Sequence, residues 1–296
     1  MTIELAAKPL EIIGASSCWG AKDHRCENGP LIMRAQGLLK DLQEEGYETS
    51  WRSLDLPYVA DREMNTLPIV ASYCQEIAEA VYEVVRDGKL FTVLGGDHSC
   101  AIGTWSGAYR ALRGNGRFGM IWVDAHMDSH TTTTSHSGAI HGMPLAALLG
   151  HGDPSLTRIG APEPKLLPQN VALIGVRSFE PEEAELLKNL GVRVFYIEEV
   201  QRRGLTACFE EALTIARRNT LAYGVSIDLD AIDPSDAPGV GSPEPNGLRG
   251  EDLIDALSLV KDSDDLLGLE IVELNPNRDQ RDKTARLASQ LLLAAV

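Results

Sequence analysis

Gly119-Met-Ile-Trp-Val-Asp-Ala-His-Met-Asp128 opens as an apolar run suited to a buried strand, then breaks into three side chains able to ligate a cation. Two other segments follow the same plan. Phe91-Thr-Val-Leu leads into Gly95-Gly-Asp-His-Ser99, and the run Ala222–Leu229 contains Ser226-Ile-Asp-Leu-Asp230, where Val225, Ile227 and Leu229 alternate with the polar positions. Extended chain has a period of two, so Asp228 and Asp230 are expected on one side of their strand, and Asp124, His126 and Asp128 likewise. Neighbouring buried carboxylates repel and lose hydration unless a cation holds them. The three clusters therefore point to metal.

Outward from these segments, further short β-branched runs at Glu11–Gly14, Val171–Gly175, Arg193–Tyr196 and Leu267–Val272 read as strands. Between the first two strands lies an amphipathic helix, Pro68 to Arg86, whose Ile77, Ala80, Val81, Val84 and Val85 form a core-facing stripe. Pro68 suits its first turn and Gly88 its stop. Strands alternating with helices predict βαβ units and a largely parallel sheet covered on both faces. Two stretches, His130–Gly142 and Asp233–Gly250, are expected to be irregular; the second holds Pro234, Pro238, Pro243 and Pro245. Both follow strands, where the ligand crevice of an open α/β sheet lies. No repeat or long linker divides the chain, so one domain over residues 1–296 is expected.

Composition narrows the partners. There are 27 Lys and Arg against 43 Asp and Glu, a formal charge of −16, which argues against nucleic acid or an anionic membrane as partner. The 5 cysteines (Cys18, Cys26, Cys74, Cys100, Cys208) are scattered and form no C-x-x-C pair, as in a reducing compartment. The start Met-Thr-Ile-Glu lacks a secretory signal's basic region. No apolar run approaches the ~20 residues of a spanning helix. A soluble, cytoplasmic protein is expected.

His98, Asp124, His126, Asp128, Asp228 and Asp230 offer two imidazoles and four carboxylates, with no thiolate. Six ligands are too many for one ion that must also leave room for water. Two ions sharing carboxylates fit, and hard oxygen donors with some imidazole favour Mn²⁺. Paired ions about 3.5–4 Å apart can generate a bridging hydroxide and stabilise a tetrahedral anion, so the reaction class is metal-assisted hydrolysis.

Gly95-Gly-Asp-His-Ser, Trp122-Val-Asp-Ala-His-Met-Asp128 and Ser226-Ile-Asp-Leu-Asp-Ala-Ile-Asp-Pro234 resemble the metal motifs of the arginase/agmatinase (ureohydrolase) superfamily. The likeness runs from Ile12-Ile-Gly14 and Asn28-Gly-Pro30 to the final helix near Thr284–Leu293. It implies a single three-layer α/β/α domain with a central, mainly parallel sheet, as in arginases and related deacetylases, and trimers or hexamers. It also implies one Mn²⁺ on His98, Asp124, Asp128 and Asp228 and another on His126, Asp124, Asp228 and Asp230, with Asp124 and Asp228 bridging.

Ser137-Gly-Ala-Ile-His-Gly-Met-Pro144 and Asp230–Gly241 resemble the bacterial arginase forms of these loops. The resemblance casts Glu273, in Glu270-Ile-Val-Glu273, as the guanidinium partner, His141 as proton shuttle and Asp128 as proton relay. A carboxylate suits a planar guanidinium, which it can pair bidentately. The amino-acid end of the substrate would meet His130, Ser135, Ser137, Glu180 and Glu183. His130 and Ala139 depart from the asparagines usual there, and Glu180 replaces an aspartate. Hydrolysis of L-arginine to L-ornithine and urea is the implied activity. The open alternatives are another guanidino substrate (agmatine or 4-guanidinobutyrate), a deacetylase on a related fold, and a catalytically silent metalloprotein. His136 and His151 read as surface histidines.

Overall fold

Residues of successive parity along the apolar runs serve opposite faces of one sheet. Ile12, Ile121 and Val123 face one core, and Ile13, Met120 and Trp122 face the other. That is the two-sided burial a parallel sheet requires. The computed structural model describes residues 9–55 and 65–296. Its strands are β1 (Pro9–Ser16), β2 (Glu48–Asp55), β3 (Leu90–Gly95), β4 (Phe118–Val123), β5 (Val171–Val176), β6 (Arg193–Tyr196), β7 (Ala222–Asp228) and β8 (Leu266–Val272). The helices are α1 (Gly29–Ala35), α2 (Leu38–Glu44), α3 (Leu67–Arg86), α4 (Cys100–Leu112), α5 (Pro144–Leu148), α6 (Pro154–Thr157), α7 (Pro181–Leu190), α8 (Ile197–Arg203), α9 (Leu205–Ala216), α10 (Gly250–Leu257) and α11 (Lys283–Ala295).

The sheet runs β2-β1-β3-β8-β7-β4-β5-β6, and all neighbours are parallel. Helices α1, α2 and α8–α11 pack on one face; α3, α4, α5 and α7 pack on the other. The expected three-layer α/β/α architecture is present. Between α3 and α4 the approach is close: a Cβ on Gly107 would lie 2.3 Å from the Ala78 carbonyl oxygen. No helix among the described residues is long and apolar enough to cross a membrane.

β3 and β4 are consecutive in the chain, yet β8 and β7 lie between them. The carboxyl ends of four adjacent central strands therefore open on one crevice, the topological switch point where α/β sheets bind ligands.

Helix α3 ends as expected, with Gly88 in the left-handed region at φ 72. Strand β2 was not anticipated. As an edge strand pairing only with β1, Glu-Thr-Ser-Trp-Arg-Ser-Leu-Asp needs no continuous apolar run. β7 is shorter than the expected Ala222–Leu229, because Leu229–Ala231 form a 3-10 turn. In the expected irregular stretch His130–Gly142, Ile140–Gly142 form another such turn.

Candidate active site

The polar residues after β4 and β7 converge through turns and not through the period-two alternation expected of extended chain. Asp228 Oδ1 accepts the Asp230 N–H at 2.8 Å, folding the chain back at the strand end. Asp124 Oδ1 accepts the His126 N–H at 2.7 Å, and Asp128 adopts φ 47. Short carboxylates that capture an N–H two residues on make such turns locally favourable.

His98, just beyond β3, is fully buried. Its Nδ1 lies 3.2 Å from Asp124 Oδ2, 3.0 Å from Asp128 Oδ2 and 3.2 Å from Asp228 Oδ2. Nevertheless, Nδ1 and Asp128 Oδ2 are buried without a well-aligned hydrogen bond. The other ring nitrogen explains why Nδ1 is bare. Nε2 sits 3.0 Å from Ser226 Oγ, whose hydroxyl donates to Glu270 Oε2 at 2.7 Å. Ser226 can then only accept from Nε2–H, which leaves the Nδ1 lone pair facing three carboxylates. Glu270 is held in turn by Thr104 and Trp105. Such a nest of acceptors around a lone pair fits a cation.

A second group adjoins it. His126 Nδ1 lies 3.1 Å from Asp230 Oδ2 and 3.5 Å from Asp124 Oδ1, so Asp124 faces both groups. His98 with Asp124 and Asp128, and Asp124 with His126 and Asp230, are each close-set enough to hold an ion. Burial, then the charges of Asp230 and Asp124, pushes Asp228 well above the usual carboxylate range. Burial and Asp124 raise Asp128 to about 6. Despite its burial, the surrounding carboxylates draw a proton towards His98. All three directions express the same unmet need for positive charge.

Glu273, just past β8, is buried and left-handed at φ 68. Its Oε1 accepts from the His98 N–H at 3.1 Å and stands 3.0 Å from His141 Nδ1. Burial alone would lower the pKa of His141, but the Glu273 carboxylate outweighs it and raises His141 to about 9. Against its own burial, Glu273 is held below its ordinary range by the same contact.

A cleft of about 200 Å³ runs from His126, Asp128 and Asp230 past His141 to Ser137 and Glu180. His130 Nε2 contacts Glu180 Oε2 at 3.0 Å and Glu183 Oε2 at 3.5 Å, and Nδ1 contacts Thr134 Oγ1 at 3.1 Å. Those three acid and imidazole groups are also close enough together for an ion. Glu183 is buried, accepts the N–H groups of Glu180 and Ser129, and is raised by burial to about 7. Ser135 and Ser137 line the cleft while accepting from the Gly138 and Ala139 N–H groups. His136 is exposed as expected but also lines the cleft, and His151 is half-buried.

Sequence reasoning missed Arg177, Cys26 and the roles of Ser226 and Glu270. The Arg177 guanidinium donates to the carbonyls of Gly175, Asp230, Ala231, Glu244 and Pro245, clasping the proline-rich loop to the end of β5. Nothing local to Arg177 announces these partners.

A parallel α/β/α sheet with linked imidazole–carboxylate groups at its carboxyl edge is an arrangement suited to metal-assisted chemistry. The Arginase family model matches residues 8–296. The arginase of Bacillus caldovelox is 39% identical over 292 residues, covering 96% of this chain and 97% of that protein. The crystal structure of arginase from Bacillus subtilis superposes with a TM-score of 0.90 at 35% identity, covering 97% and 98% of the two chains. Entamoeba histolytica arginase, solved in complex with L-ornithine, gives 0.90 at 28% identity, covering 98% and 99%. The chain belongs to the arginase family of hydrolases.

Proposed function

We propose that this chain hydrolyses L-arginine to L-ornithine and urea, using two Mn²⁺ ions held by His98, Asp124, His126, Asp128, Asp228 and Asp230. The observation that carries the reading is the bare His98 Nδ1 within 3.2 Å of three carboxylate oxygens, beside a second imidazole–carboxylate group that shares Asp124. Four carboxylates and two imidazoles without a thiolate suit Mn²⁺ better than a soft-ligand ion.

When bound, the two ions supply an activated water at neutral pH and charge that stabilises an anionic tetrahedral state. Glu273, ionised beside His141, pairs with the substrate guanidinium and fixes its carbon against the cluster. Asp128 receives the proton of the attacking water and passes it to the leaving amine nitrogen. His141, at the cleft wall, exchanges protons with bulk water. Farther along the cleft, Glu180 and Glu183 meet the substrate ammonium, and Ser135, Ser137 and His130 meet its carboxylate.

One observation favours a second reading. Both His130 ring nitrogens are engaged, by Thr134 and Glu180, so few donors remain for a carboxylate while negative charge remains for an ammonium. Agmatine has that character. Urea release by Mn²⁺-loaded protein from L-arginine, agmatine and 4-guanidinobutyrate, assayed side by side, separates the readings. Preference for L-arginine supports the first, preference for agmatine the second, and preference for 4-guanidinobutyrate or no urea from any removes both. The reading extends to a cytoplasmic homo-oligomer, trimer or hexamer, of single-domain chains over residues 1–296, which light scattering of the purified protein tests for assembly.

A further inference from the structure

We propose that Cys26 is a positioning residue for Glu273, its thiol holding the carboxylate in the orientation that receives a guanidinium. The inference rests on the reading of Glu273 as the guanidinium partner.

The two residues are 247 positions apart, yet the Cys26 thiol lies 3.3 Å from Glu273 Oε2 and 3.6 Å from the Glu273 carbonyl oxygen. The oxygens of this carboxylate are treated differently. Oε1 has the His98 N–H and His141, whereas among the described residues the hydrogen-bond donor found at Oε2 is the thiol. On a further side Oε2 is walled by Gly241, where a Cβ would come within 2.3 Å of it. Without a donor at Oε2, only the Oε1 bonds restrain rotation of the carboxylate about its last torsion, which is intrinsically soft.

The thiol is itself held rigidly. Cys26 sits on a 3-10 turn, His24–Asn28, and packs in a small buried cluster with Cys18 and Ala21. The next residue after that turn, Gly29, lies so close to Leu274 that a Cβ would be 2.8 Å from its carbonyl oxygen. The segment is thus docked on the chain just beyond Glu273. Contact with Cys18, burial and the Glu273 charge all push the Cys26 thiol far up, so it remains a protonated donor at any working pH. A neutral donor steadies the carboxylate without competing with a cationic substrate for its charge.

The test compares Cys26→Ala and Cys26→Ser, alone and combined with Glu273→Gln, in Mn²⁺-loaded full-length protein, together with crystal structures of the two single variants. Cys26→Ala is expected to lower kcat/KM for the best guanidino substrate by about tenfold, the scale of one hydrogen bond to a charged group. Metal content stays unchanged, Cys26→Ser recovers most of the loss, and in the Glu273→Gln background Cys26→Ala costs nothing further. The Glu273 carboxylate is expected to take more than one orientation in the Cys26→Ala crystal and a single one in Cys26→Ser. A single unchanged orientation in Cys26→Ala overturns the proposal whether or not the enzyme turns over. So does a loss that persists in the Glu273→Gln background. If the wild-type protein releases no urea from any guanidine, the functional reading falls, and the crystallographic result still decides the role of Cys26.

Discussion

The Ser226 hydroxyl, 3.0 Å from His98 Nε2, sets the tautomer of that histidine by committing its own proton to Glu270. This relay of a buried carboxylate, a hydroxyl and an imidazole aims the bare Nδ1 at three aspartates. Partners of this kind affect metal affinity by roughly 10–100-fold. Ser226→Ala is therefore expected to release metal at about tenfold lower chelator concentration, with the secondary structure intact. Metal analysis after dialysis against graded chelator checks it, and an unchanged release curve would show that the tautomer is set elsewhere.

Asp124 faces both histidine groups, so its loss is expected to disturb two ions and not one. Asp124→Ala should retain less than about one ion per chain and lose at least roughly a thousandfold in kcat, the scale of chemistry that relies on bound metal. Retained turnover in this variant would sink the two-ion reading.

His141 and Glu273 touch at 3.0 Å but are expected to fail differently when changed. Glu273→Gln removes the negative charge that pairs with substrate and should lower kcat/KM by about a hundredfold or more. His141→Ala should slow kcat by roughly 10²-fold as a lost proton shuttle, with metal content preserved and partial rescue by added imidazole. Metal loss from His141→Ala would mark it as a ligand instead.

Lys165 is buried, and its ammonium donates to the carbonyls of Thr157 and Ala161. Burial lowers its pKa to about 8. Between that value and its unfolded pKa near 10.4 the unfolded chain binds more protons, so stability rises with pH across this window. Below about pH 8 the full cost of burying the charge is present. Relative to Lys165→Met, the wild-type protein should gain about 3 kcal/mol between pH 7.5 and 10.5. Urea unfolding of both proteins at the two pH values measures it, and parallel behaviour would contradict it.

Legibility from the sequence differed by element. The strands at the centre of the sheet were readable because burial on both faces demands continuous apolar runs, as in Phe118–Val123 and Val171–Val176. The edge strand Glu48–Asp55 has one neighbour and needs no such run, so its polar sequence concealed it. The residues of the candidate metal groups were readable because they follow those runs directly. Their local geometry was not, since Asp230 and Asp128 are placed by turns that side-chain capture of backbone N–H groups creates.

By itself, the sequence determined which residue types end which strands, and with them the candidate donor set of His98, Asp124, His126, Asp128, Asp228 and Asp230, because that is a property of adjacent positions along the chain. Only the tertiary structure decided that β8 and β7 enter between β3 and β4, setting Glu273 against His98 and His141. It alone also brought Cys26 to Glu273, Glu270 to Ser226 and Arg177 to the loop beyond Asp233. These partners lie tens to hundreds of residues apart, and their meeting depends on the free energy of pairing and packing the whole sheet, which no local run of residues encodes.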